Sequence, residues 1–288
     1  MALDPGRATL SGFGAVLLWG TLAPLAVGAK EVPPFQMTAS AFGFAFIFQL
    51  ALWRLRGQSP IERLRLPGAV WLHGVYGLFG YHALYFFAFR HAPAVEVNLI
   101  NYLWPLLIVL FSALLPGERL RVPQVLGALV GFAGVAAMLG GDGAPAFEAG
   151  HAIGYLAALG CAVVWSSYSV SARLFPQVES DAVGGFCGAT ALLGLLCHLL
   201  FETTRAPSAA EWLMMATMGL GPTGAAFLLW DVGMKRGNMP LLGAAAYAAP
   251  VLSTALLIVF GLGAFRPEVA IACVAVALGA ALAGRRSG

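Results

Sequence analysis

Charged side chains in this chain are spaced so that ten stretches of about twenty residues contain none, and that spacing restricts the fold more than any other feature. The stretches are 8–29, 32–53, 66–89, 97–117, 122–141, 149–172, 182–201, 212–230, 237–265 and 269–284. A helix needs roughly 17–25 apolar residues to cross a bilayer core about 30 Å thick, so each stretch is one predicted span. With 60% of its residues hydrophobic and 10% charged, the chain has too few polar groups to solvate the surface of a water-soluble domain. No stretch alternates polar and apolar residues as a barrel strand does, which leaves an all-α membrane protein of ten helices. The last stretch is short, but Pro267 and Glu268 suit a first helical turn and lengthen it.

Basic residues orient the spans, because cytoplasmic loops hold an excess of Lys and Arg. With the N-terminus inside, twelve of the sixteen fall on the cytoplasmic side and only Lys30, Arg90, Arg205 and Arg266 outside. Both termini are therefore expected in the cytoplasm. The net charge of +3 follows from this asymmetry and calls for no nucleic-acid partner. The first apolar stretch is too long for a signal-peptide core and lacks a small-residue cleavage site after it, so it is expected to remain as span 1. Cys161, Cys187, Cys197 and Cys273 all fall within spans, and neither they nor the five histidines have a metal-ligand spacing. No cofactor or metal is expected.

Sliding the chain along itself reveals a repeat. A shift of 145 lays Tyr102-Leu-Trp-Pro105 over Tyr247-Ala-Ala-Pro250, and Tyr85-Phe-Phe-Ala-Phe-Arg90 over Trp230-Asp-Val-Gly-Met-Lys235. A shift of 146 lays Leu17-Leu-Trp19-Gly20 over Val163-Val-Trp165-Ser166. The expected organisation is a cytoplasmic N-terminus (1–8), a first five-helix repeat (9–141), an external linker (142–149) and a second five-helix repeat (150–286). Five is odd, so the second copy enters the membrane with opposite polarity. Such inverted repeats can exchange conformations and open a central site to either side in turn.

The Trp-small-small sequences Trp19-Gly20-Thr21 and Trp165-Ser166-Ser167, Gly117-Glu118 after span 4, and the prolines of spans 4 and 9 give the chain a resemblance to the EamA-type branch of the drug/metabolite transporter superfamily. The likeness covers nearly the whole chain and is nearest to the YddG-type bacterial exporters of aromatic amino acids. It implies a multi-pass carrier of the bacterial inner (plasma) membrane with a central substrate cavity. One departure stands out: Leu262-Gly-Ala-Phe265 occupies the place of a second Gly-Glu.

Helical phase selects the residues that can line such a cavity. At about 100° per residue, Asn98, Asn101, Tyr102 and Pro105 share a narrow face of span 4. Gly74, Gly77, Tyr81, Tyr85 and Ala88 form a stripe on span 3, with His82 at its edge. Span 9 repeats the pattern with Gly243, Tyr247, Pro250 and Thr254, and span 6 sets Trp165 beside Ser166, Tyr168 and Ser169. Small residues and hydroxyls also serve plain helix packing. Tyr beside Gly or Pro on three helices, two of them repeat mates, points instead to a largely apolar pocket with a few orienting polar groups. The candidate substrate-binding residues are Tyr81, His82, Tyr85, Asn98, Asn101, Tyr102, Trp165, Ser169 and Tyr247; Trp19 is the repeat mate of Trp165, and Trp104 and Trp230 can face either the site or a neighbour. Pro24, Pro105, Pro222 and Pro250 free main-chain carbonyls within spans.

Asp231 and Lys235 stand four residues apart at the inner end of span 8. They form either an ion pair along the helix or a gate or coupling element for transport. Glu96 suits the first turn of span 4. An aspartyl-enzyme reading would pair Asp142 with Asp231, but these lie at opposite membrane surfaces, whereas a working dyad is in contact. An anionic phosphate cargo would call for Lys or Arg within the spans, which contain almost none. A neutral or zwitterionic small molecule fits better, and the resemblance selects an aromatic amino acid from these. An exporter of another small metabolite or drug-like molecule, and a non-transporting receptor or assembly protein, remain as alternatives.

Overall fold

The computed structural model describes residues 4–140 and 147–284. Among the described residues all regular structure is helical, and its ten long segments follow the charge-free stretches: α1 (Pro5–Gly28), α2 (Pro34–Leu55), α3 (68–91), α4 (Ala94–Ser112), α5 (Val122–Gly140), α6 (Ala149–Leu174), α7 (Ser180–Phe201), α8 (Ala209–Arg236), α9 (Met239–Val259) and α10 (Pro267–Ala283). Eight of them, all but α3 and α10, are long and apolar enough to cross a bilayer, and the chain is a multi-pass membrane protein. Asp142, the expected boundary at 141–142, Arg285 and Arg286 lie outside the described residues.

Local chemistry sets the helix ends. Proline stands in the first turn of α1, α2, α9 and α10, where its missing amide hydrogen costs no hydrogen bond. The Asn238 side chain accepts from Leu241 N at 3.1 Å to start α9, and Ser208 and Glu211 form a reciprocal capping box at α8. The free amides of Phe35 and Gln36 at the start of α2 donate to the carboxylate of Glu202 beyond α7, at 2.9 and 3.1 Å.

Several helices are interrupted within the bundle, and the interruptions in α3 and α8 and in α4 and α9 fall in positions the repeat relates. A π-helical turn occupies Tyr76–Gly80 in α3 and another Gly221–Ala225 in α8, starting 145 residues apart. Tyr102 and Leu103 break α4, and Ala246 and Tyr247 break α9, in each case just ahead of a proline. Gly20 and Thr21 break α1 ahead of Pro24. Proline has no N–H for the carbonyl four residues earlier, which loosens that turn.

The packing carries the same symmetry. α2 lies against α7, α5 against α10 and α4 against α9, while the α1–α8 contact is mirrored by the α6–α3 contact. At the crossing of α5 with α10 a Cβ on Gly127 would run into the main-chain oxygen of Gly279, so glycine is required for this approach. The main core cluster sits where α1, α4, α6 and α8 meet; a second fills the space among α4, α5, α9 and α10. Thr9 Oγ1 accepts from Asn238 N at 2.9 Å and Leu241 packs on Gly284, so both described termini share one end of the bundle, here the terminal face.

Candidate functional site

Four tryptophans from four helices converge at the middle of the bundle. Trp19 ends the first half of α1 and Trp104 follows the break in α4, while Trp165 lies on α6 and Trp230 on α8 beyond its π-turn. The Trp19 ring centre is 4.9 Å from Trp230, 5.7 Å from Trp165 and 6.1 Å from Trp104; Trp104 is 5.9 Å from Trp230 and 6.3 Å from Trp165. Most of these contacts are edge-on, the arrangement aromatic quadrupoles favour. Phe227 packs on Trp19 and Trp165, and Phe42 stacks on Phe227. Two of the indole N–H groups find partners despite burial: Trp19 Nε1 donates to the main-chain oxygen of Pro222 in the π-turn, and Trp230 Nε1 to Ser169 Oγ, each at 3.0 Å.

A more polar wall continues from this cluster. Tyr81 lies 5.6 Å from Trp165 and stacks on Tyr85 at 5.8 Å with an interplanar angle of 20°. Asn101 Nδ2 donates to the Tyr81 hydroxyl at 3.1 Å, and the Tyr85 hydroxyl lies 3.4 Å from Asn98 Oδ1. His82 donates from Nδ1 to Leu78 O at 2.7 Å and sets its ring edge-on to Phe42. The tryptophans are buried, whereas Tyr81, His82, Tyr85 and Asn98 are half-buried. A closed aromatic floor thus adjoins a partly open wall of ring faces, hydroxyls and amides, without lysine, arginine or carboxylate among these residues.

Of the residues singled out from the sequence, Tyr81, His82, Tyr85, Asn98, Asn101 and Trp165 come together here. Ser169 joins them as the buried acceptor for Trp230. Tyr102 packs between the two core clusters and touches both. Tyr247 stands apart: its ring is fully buried in the second cluster, 6.2 Å from Phe132, in the notch that Gly131 leaves in α5. Helical phase gave Tyr102 and Tyr247 equivalent inward faces but could not tell which neighbouring helix each would meet. The sequence left Trp104 and Trp230 undecided and did not single out Phe42 or Phe227. The shift of 145 does superpose Trp230 on Tyr85, a signal that each marks the same place in its repeat.

Asp231 and Lys235 form an ion pair, Nζ to Oδ2 2.9 Å, with both side chains at most 10% exposed; Lys235 also donates to Val178 O at 3.0 Å. The pair lies toward the terminal face. Glu96 stands in the first turn of α4, as expected, and is buried there. Basic groups gather on the terminal face instead of the aromatic site, where Arg119, Arg121 and Arg173 line a cleft of about 370 Å³ with Gln124 and Asn238.

Comparison with known proteins agrees with this architecture. The chain is 52% identical over 282 residues to a protein of Ancylobacter novellus named aromatic amino acid exporter YddG, covering 98% of each chain. It is 30% identical over 274 residues to the protein of that name from Salmonella typhimurium, covering 87% of each. A protein of Streptantibioticus cattleyicolor named probable terminal-alkyne amino-acid exporter is 25% identical over 94% of each chain. A solved crystal structure 51% identical in sequence superposes with a TM-score of 0.94, covering 98% of this chain and 97% of the other. The EamA-like transporter family matches twice, over residues 6–140 and 152–285, one match for each half, and the chain belongs to that family.

Proposed function

We propose that the protein exports aromatic amino acids across the bacterial inner membrane by alternating access, with ten spans, both termini in the cytoplasm and the aromatic cluster as the substrate site. The observation that carries the reading is the junction of a four-tryptophan floor with the uncharged Tyr81–Tyr85–Asn98–Asn101 wall, between helices contributed by both halves. Flat ring faces suit an aromatic side chain, and the hydroxyls and amides suit its zwitterionic end. The relatives named as aromatic amino acid exporters support the cargo assignment. Repeat halves meeting between 141 and 150 support an inverted pair, as do the matched π-turns and the symmetric packing. Asp231 and Lys235, joined by their buried pair, act as a structural tie in this reading and not as the coupling element.

Counterflow in proteoliposomes tests it. Labelled phenylalanine and tryptophan are expected to exchange, with nucleosides and sugar phosphates excluded; no exchange of any aromatic amino acid would defeat the cargo assignment. A second reading, export of neutral amino acids with other side chains, draws on the relative named for terminal-alkyne amino acids. Exchange of methionine or leucine at rates equal to phenylalanine would favour it.

A further inference from the structure

Asn101 is the last residue before the break in α4 and only 4% exposed, yet its side-chain oxygen lacks the partner expected of a buried group. Its Nδ2 donates to the Tyr81 hydroxyl at 3.1 Å, and Oδ1 has no hydrogen-bond partner. Buried polar atoms are almost always paired, so an unpaired one beside a binding site calls for an explanation. The complement of an unfilled acceptor is a group that only donates, which a primary ammonium is and a carboxylate is not. The Tyr81 ring to which Asn101 is tied packs on Trp165, so a ligand lying on those rings has its polar end beside Asn101.

From this geometry we infer that Asn101 receives the α-ammonium group of the substrate and makes that group a condition of recognition. The inference rests on the aromatic cluster being the substrate site. Tyr81 acts as the positioning residue, holding the amide so that Oδ1 stays turned away from it.

Two fragments of phenylalanine separate its charges: phenethylamine has the ammonium alone and 3-phenylpropionate the carboxylate alone. Binding of each to the purified full-length chain in nanodiscs is read by tryptophan emission from the cluster. Wild type is expected to bind phenethylamine at least about tenfold more tightly than 3-phenylpropionate, and Asn101→Leu to lose about tenfold in phenethylamine affinity, the scale of one hydrogen bond to a charged group. Asn101→Asp, which keeps the acceptor, is expected to retain phenethylamine and reject 3-phenylpropionate. Equal or tighter binding of the acid by wild type, undiminished amine binding by Asn101→Leu, or loss of amine binding by Asn101→Asp overturns the assignment. Should Asn101→Leu fail to fold, the wild-type preference and the aspartate variant still decide. A wild-type protein that shows the amine preference but exchanges no phenylalanine would remove the proposed cargo while leaving the ammonium contact in place.

Discussion

Asp231 and Lys235 show how burial changes the worth of a familiar pairing. On an exposed helix an i, i+4 ion pair contributes about 0.3–0.5 kcal/mol, but here both side chains are enclosed and the lysine is further held by Val178 O. Removing one partner of a buried pair leaves an uncompensated charge, at a cost of about 3–5 kcal/mol. Asp231→Asn is therefore expected to lower the thermal stability of the purified protein well beyond an exposed-pair effect, and Asp231→Asn with Lys235→Gln to recover part of it. A melting temperature unchanged by the single substitution would refute the buried tie. At the aromatic site two substitutions should separate packing from recognition. Trp165 touches Trp19, Trp104, Tyr81 and Phe227, so Trp165→Ala is expected to cost about 3–5 kcal/mol of stability along with transport. Tyr85→Phe gives up only a 3.4 Å hydroxyl contact and should leave stability within about 1 kcal/mol of wild type; a comparison of the two in thermal unfolding and phenylalanine counterflow checks both. Tyr81 and Tyr85 were legible in the sequence because they share one face of α3, and Asn98 and Asn101 because they share one face of α4. The Trp19–Pro222 bond was not, since it joins residues 203 apart through a carbonyl that only the π-turn presents.

At the scale of elements, spans follow from charge spacing and breaks follow from proline, and the sequence displays both. The turn at Tyr76–Gly80 contains no proline, so its only trace in the sequence is the repeat that aligns it with Gly221–Ala225, where Pro222 lies. Extra residues in a helical turn re-aim the side chains that follow, and such turns gather at functional sites; here they precede Tyr81 in α3 and Trp230 in α8. Glycine's role is legible only by half. A glycine-rich span announces close packing without naming its partner, and the partner of Gly127 proved to be Gly279, from the repeat-related helix. Gly127→Leu is expected to separate α5 from α10 and to abolish the monodisperse peak of the detergent-solubilised protein in size exclusion. Gly43→Ala, where an added Cβ meets nothing within 4 Å, should elute as wild type. Normal elution of the Gly127 variant would show that the α5–α10 crossing is not needed for a folded bundle.

In the whole molecule, the two halves are fastened to each other at both ends. On the terminal face Arg63 Nη1 reaches Glu179 at 2.6 Å and Asp181 at 3.7 Å, Arg173 reaches Glu118 at 2.6 Å, and Trp53 Nε1 donates to Asp181 at 2.9 Å. At the opposite end Glu202 caps α2 across the same divide, and Gln36 and Arg205 exchange hydrogen bonds. Every one of these joins a residue before 141 to one after 150. If the halves alternate, the terminal-face ties must part once in each cycle, so they act on the rate of exchange more than on the fold. Glu179 is largely exposed, and a partly exposed pair of this kind contributes no more than about 1 kcal/mol to stability. Arg63→Glu sets a third carboxylate against Glu179 and Asp181 and should hold that face apart; phenylalanine counterflow is then expected to slow several-fold while the melting temperature moves only a few degrees. Exchanging the charges, Arg63→Glu with Glu179→Arg, restores the attraction to position 179 and should recover much of the rate. Counterflow that ignores both variants would mean that this face stays shut throughout transport, and the repeat symmetry of the packing would then describe how the bundle is built without describing how it moves.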